Sequence, residues 1–152
     1  MSSSLRRSAV SPLPHIFLLA ISLAYLQCSE ERADTKKNIL VGGIPIAVEV
    51  SATPEERWRG LMLREKLGWN EGMLFVFEKE DTLSFWMHKT SIPLSIAFID
   101  STGVIVDIQE MSPFDETIHK SRGVALYALE MNMGWFEVNG VEVGDRAFIQ
   151  FD

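Results

Sequence analysis

The stretch LSFWMHKTSIPLSIAFID, Leu83 to Asp100, sets two apolar runs on either side of a polar island, His88-Lys89-Thr90-Ser91. Along Leu83–His88 the side chains of Leu83, Phe85 and Met87 fall on one face and those of Ser84, Trp86 and His88 on the other. That is the two-residue period of a strand with one buried face. Pro93 has no N–H to give to a ladder, which places it at a strand start or edge. The segment reads as strand, crossing loop, strand, with the island as the solvated tip of the crossing.

The neighbouring sequence extends this pattern. Upstream, ILVGGIPIAVEVS supplies two β-rich runs, Ile39–Val41 and Ile44–Val50, hinged at Gly42-Gly43. GMLFVFE, from Gly72, is separated from TLSFWMH by the charged triplet KED, which predicts a hairpin. IAFID and VIVDIQEM flank STG, where Gly103 is free to take positive φ. Val124–Asn132, VALYALEMN, alternates as a strand; GWFEVNG reads as one helical turn ended by Gly140. VEVGDRAFIQF then turns at Gly144-Asp145 into a last strand, Arg146–Phe151. Only TPEERWRGLM changes period. Thr53 suits an N-cap, Pro54 the first helical position, and Glu56 closes a capping box. The expected helix covers residues 53–63, with Trp58, Leu61 and Met62 on the face that docks on a sheet. Seven or eight short strands and one short helix predict a compact, β-rich α+β domain, an antiparallel or mixed sheet or a small barrel.

The beginning of the chain has a different character. Arg6 and Arg7 precede the apolar run Ile16–Leu26, which is shorter than the roughly 20 residues that span a bilayer. A basic start, a short apolar run and a polar exit describe an export signal, residues 1–27. Cys28 is the sole cysteine, so the chain can form no internal disulfide and no cysteine-based metal site. AYLQCSEE resembles a bacterial lipoprotein signal, in which the cysteine becomes the lipidated first residue. Tyr25 and Gln27 depart from the usual pattern, a laxity that resembles spirochaete signals. Residues 28–38 read as a flexible tether and 39–152 as the domain, carried in the cell envelope by an acyl anchor on the membrane. Residues 28–152 hold 12 Lys and Arg against 21 Asp and Glu, a net charge of −9. Such an acidic globule lacks the basic footprint that nucleic acid requires.

Taken together, TPEERWRGLM, EGMLFVF, SFWMHKTSIPLSIAFID and YALEMNMGWFEVNGVEVGD resemble the domain of unknown function (DUF) 192 family, over roughly Ile46 to Phe151. The resemblance implies a compact β-rich domain with a short early helix and implies no activity. Arg57, Gly60, Leu61, Met62, Gly72, Met73 and Phe75 match its pattern, as do Phe85, Trp86, Met87, Thr90, Pro93 and Leu94. Lys89 stands where that pattern carries Asn, and Ser95 where it carries Asp.

Candidate chemistry is sparse. Asp115, Glu116, His119 and Ser121 form the densest polar cluster, and a His beside a carboxylate and a hydroxyl can act as general base. An exposed loop explains the same residues, because adjacency in sequence is not geometry. His88, His119 and Asp115 match no metal-ligand spacing, so neither a metal nor a cofactor is expected. Arg57, beside an apolar face, is either a structural ion pair or an anion clamp. Trp58, Trp86, Trp135, Phe85 and Phe136 are core residues or the lining of a stacking groove, and Trp69 is the best exposed contact. The expectation is a binding module rather than an enzyme, taking a small ligand, glycan or partner protein at Arg57, Trp86, His88, Lys89 and Thr90. A small hydrolase or transferase using Asp115, His119 and Ser121, with Arg57 holding an anion, is the alternative. A purely structural envelope protein, with no cavity of about 300 Å³, is the third.

Overall fold

The computed structural model describes residues 36–150. The predicted export segment, Cys28, the first part of the predicted tether and the end of the last predicted strand lie outside the described residues. The chain begins with β1 (Lys37–Val41) and β2 (Ile44–Ser51), paired as a hairpin through Gly42-Gly43. Lys37 and Asn38, read from the sequence as tether, are therefore sheet residues. Next come α1 (Pro54–Arg59), β3 (Glu71–Asp81) and β4 (Ser84–Phe85). They are followed by β5 (Leu94–Ile99), β6 (Ile105–Met111), β7 (His119–Lys120) and β8 (Ala125–Asn132). A four-residue helix α2 (Trp135–Val138) and β9 (Ala147–Phe148) close the described chain.

Seven strands make one sheet in the order β6-β5-β8-β3-β2-β1-β9, and β4 pairs with β7 apart from it. Every pair is antiparallel except β2–β3, whose crossover holds α1. The sheet curls. Its two outer strands meet at one end, where Val104 bridges Arg146 and Ala147 N donates to Gly103 O at 2.8 Å. Inside the curl lie Val41, Val48, Leu74, Ile99, Ile105 and Leu129, plugged by Trp135 and Phe136 of α2. The outer face carries a second core of Phe75, Leu94, Ile96, Phe98 and Met111, roofed by Leu61, Leu83, Met87 and Ile92. The central strands are thus covered on both sides, which is why all six residues of β5 are buried.

Three expectations need correction. The helix is shorter than residues 53–63. The capping box forms as read, with Thr53 Oγ1 accepting from Glu56 N at 3.2 Å and Glu56 Oε2 from Thr53 N at 3.1 Å. Gly60, at φ 48°, then breaks the helix after Arg59. Leu61 and Met62 consequently sit in a turn, and Trp58 points outward at 65% exposure instead of docking. Second, GMLFVFE and TLSFWMH do not form a hairpin, because β3 lies between β2 and β8. Third, TLSFWMH is strand only at Ser84–Phe85. It stays extended because Met87 N donates to Asp115 O and Ser121 N to Leu83 O, so loop backbone replaces a ladder.

Gly72, in β3, has no room for a side chain. A Cβ there would meet Glu130 O at 2.6 Å and Met131 Sδ at 2.5 Å, and the carbonyl belongs to a ladder that cannot move aside. Gly72→Ala is expected to cost about 1–3 kcal/mol, the range for overpacking a core, read as a lower urea midpoint at unchanged m-value.

Candidate functional site

The outer core leaves one cavity of about 260 Å³ between α1, the end of β3 and the β4 segment. Its floor is the sheet, with Phe75 and Glu130; one wall is Arg57 to Met62, and the other is Ser84, Phe85, Trp86 and Thr90. Five aromatic residues line it, Phe75, Phe77, Phe85 and Trp86 together with the largely exposed Trp58. Phe85 packs edge-on against Phe75, with ring centres 4.9 Å apart, which fixes the inner wall.

Glu130 is the unusual member. Strand register sets Glu49, Met73, Glu130 and Ile96 in one row across β2, β3, β8 and β5. Two carboxylates in a row that is otherwise apolar have opposite fates. Glu49 is held by both Nη atoms of Arg64. Glu130 is 4% exposed, and among the described residues nothing donates a hydrogen bond to its carboxyl. Burial alone pushes that carboxyl up to about 8, so it is protonated at neutral pH. No sequence argument above singled it out. The available signal was a glutamate inside an otherwise apolar run on a strand covered on both faces.

Arg57 reaches the cavity wall already occupied. Its Nη1 donates to Ala52 O and to Val76 O at 2.8 Å, and its Nη2 to Glu78 Oε1 at 3.1 Å. Its guanidinium carbon lies 4.8 Å from the centre of Phe77. Glu78 is held below the usual carboxylate range, first by its own backbone N–H and then by Arg57. Of the island residues, Thr90 lines the cavity and Lys89 and His88 do not. His88 Nδ1 pairs with Glu116 Oε1 at 2.9 Å, and its ring stacks on Trp86, with centres 4.9 Å apart. Trp86 joins these neighbours to the cavity. Trp135 and Phe136 are core, and Trp69, half exposed in a turn, does not line the cavity.

The Asp115, His119, Ser121 cluster is arranged differently from a catalytic relay. Asp115 Oδ2 lies 3.8 Å from His119 Nε2, too far for a hydrogen bond, while His119 Nδ1 faces Gln109 Oε1 at 3.3 Å. Hydrogen bonds from Thr117, and after them His119, hold Asp115 below the usual carboxylate range. Ser121 Oγ donates to Gly123 O at 2.7 Å and accepts from Leu83 N at 3.0 Å. It ties β7 to the segment before β4 and makes no hydrogen bond with His119. Neither does any of the three line the cavity. Among the described residues no group of three or more His, Cys, Asp or Glu side chains is placed to hold a metal ion.

Residues 37–149 match the profile of DUF192, described as an uncharacterized family. A UPF0127 protein of Thermococcus sibiricus is 27% identical over 101 residues, covering 65% of this chain and 63% of that protein's length. A crystal structure from Novosphingobium aromaticivorans, of unknown function, shares 33% identity at a TM-score of 0.72, covering 75% of this chain and 85% of that one. Another, from Sinorhizobium meliloti and provisionally described as a transcription regulator, shares 34% identity at a TM-score of 0.69, covering 72% and 88%.

The Glu130 carboxyl ties stability to pH. In the folded protein it keeps its proton up to about pH 8, whereas after unfolding it ionises near 4.5. The folded state binds the extra proton between those values, so this group's contribution to stability falls as pH rises through that window and is level outside it. Glu130→Gln removes the effect. Relative to the parent, the variant is expected to gain a few kcal/mol between pH 5 and pH 8, measured by urea denaturation at both.

Proposed function

Since the chain belongs to the DUF192 family, which brings no activity with it, we propose from its own geometry that it is a small-ligand-binding domain, held outside the cytoplasm by a lipid on Cys28. The observation that carries the binding site is Glu130. A buried carboxyl without a partner is costly, on the order of 1–3 kcal/mol for the missing hydrogen bond alone. Such a group opening onto an aromatic-lined cavity is the arrangement of a ligand site, with rings for burial and one polar group for orientation. The cavity volume, about 260 Å³, suits a small molecule rather than a glycan chain or a protein segment. Arg57, Trp86 and Thr90 contribute wall, and His88 positions Trp86 by stacking on it.

The family motif carries Asn where Lys89 stands. The backbone there is left-handed, φ 51°, a conformation that Asn adopts more readily than Lys. The motif position is then a turn-former, and Lys89 does not line the cavity. Support for the envelope location comes from the basic, apolar and cysteine-ended leader, Arg6 to Cys28. The provisional description of the Sinorhizobium relative would ask this chain to bind nucleic acid, and a net charge of −9 over residues 28–152 argues against it.

Two measurements test these readings separately. In a metabolite screen followed by tryptophan fluorescence and thermal shift, a true ligand raises the parent's Tm by a few degrees, and the shift is lost in Trp86→Ala. Equal stabilisation of both proteins by every hit would remove the cavity from consideration. Cells fed labelled palmitate are expected to label the parent and leave Cys28→Ser unlabelled; an unlabelled parent would remove the anchor.

A further inference from the structure

The chemistry of the cavity narrows its ligand. Glu130 presents a carboxyl to which no N–H or O–H of the described residues donates. Once ionised it needs a donor, and a molecule entering the cavity can bring one. Around it stand rings whose faces are electron-rich and attract cations. One of them is already used in this way, since the Arg57 guanidinium sits over Phe77. A ligand that carries both N–H donors and positive charge answers both features at once. We infer that the cavity takes a small alkylammonium ion, its N–H groups on the Glu130 carboxylate and its alkyl body against the rings; the inference rests on the ligand-site reading above.

The charges facing Glu130 permit this. From α1, Arg57 is matched by Glu78 and by two carbonyl oxygens, and Arg59 is exposed at the rim. From β2, Glu49 is matched by Arg64. The residues beside Glu130 on β3 and β5 are Met73 and Ile96, and the β4 wall offers Ser84, Phe85 and Trp86. None of these charges displaces the carboxyl's titration, which burial alone sets near 8. Near neutral pH an arriving cation meets a protonated acid. As it seats, the carboxyl gives that proton to water, and the buried pair is left with no net charge. A neutral or anionic ligand would instead keep the proton in place.

Calorimetry of the full-length protein with propylammonium, propan-1-ol and propionate, each in two buffers of different ionisation enthalpy, tests the class. Propylammonium is expected to bind in preference to the other two, about tenfold tighter at pH 7 than at pH 6, levelling above pH 8, with close to one proton released at the lower pH. Glu130→Gln should weaken it at least tenfold without lowering Tm. Trp86→Ala, a change at a partly exposed ring that leaves the core untouched, should weaken it severalfold. Tighter binding of propan-1-ol or propionate, or an affinity for propylammonium that ignores pH, overturns the ammonium assignment and leaves the ligand site standing. Absence of binding by all three also overturns it, and the fluorescence screen then decides the broader reading on its own.

Discussion

Four strands, β2, β3, β8 and β5, run through the middle of a sheet that is covered on both faces, so a polar side chain on them must be satisfied within the protein or open onto a cavity. Most are satisfied, although Ser51 Oγ, at the end of β2, is buried without a hydrogen-bond partner among the described residues. Ser95 Oγ donates to Glu110 Oε1 at 2.6 Å and accepts from Gly134 N at 2.8 Å. Glu49 has Arg64. Asp107, on neighbouring β6, accepts from Gln109 Nε2 at 2.6 Å and from Arg122 N at 3.1 Å. Against that background Glu130 is the buried carboxyl group to which none of the described residues donates a hydrogen bond. The same covering that makes the fold cohesive makes an unpaired carboxyl at this position costly.

The cavity exists because the roof over the outer core is made of loops instead of a long helix. Gly60 ends α1 after six residues, and the chain then turns through Leu63 at φ 61°. Leu63 N donates to Lys89 O at 2.9 Å, and Phe114 N donates to Thr90 O at 3.0 Å. Leu63, Lys89 and Phe114 are the positive-φ residues other than glycine among the described residues, and all three belong to this one junction. Such backbone is costly for non-glycine residues and persists where surrounding structure holds it. The polar island of Leu83–Asp100 is therefore more than a solvated tip. It is the knot where three loops are tied, and Thr90, buried within it, reaches the cavity from that knot.

Arg57 fastens structure and lines the cavity with one side chain. Its donors bind the entry to α1, the β3 backbone and Glu78, which fastens the short helix to the sheet at the cavity mouth. Its charge is matched there, and its plane covers Phe77. An anion clamp needs a free fork, and this one is engaged. The wall it forms shapes the cavity.

Local chemistry was legible in the sequence wherever a short-range rule governs it. The capping box at Thr53, the hairpin through Gly42-Gly43, the turn at Gly103, the start of β5 after Pro93 and the helical turn at Trp135 were all readable from spacing and residue type, as was the β-rich class. The helix length, the false β3–β4 hairpin and the exposure of Trp58 were not, because each depends on partners distant in the chain. Glu130 shows the limit most plainly. The sequence by itself determined that a glutamate would sit on a strand, Val124–Asn132; tertiary structure alone decided that this position would be buried, that Arg64 would reach Glu49, that no donor among the described residues would reach Glu130, and that the space beside it would stay open. Strand order and loop closure bring those residues together across the sheet, and a one-dimensional pattern does not carry distances between strands.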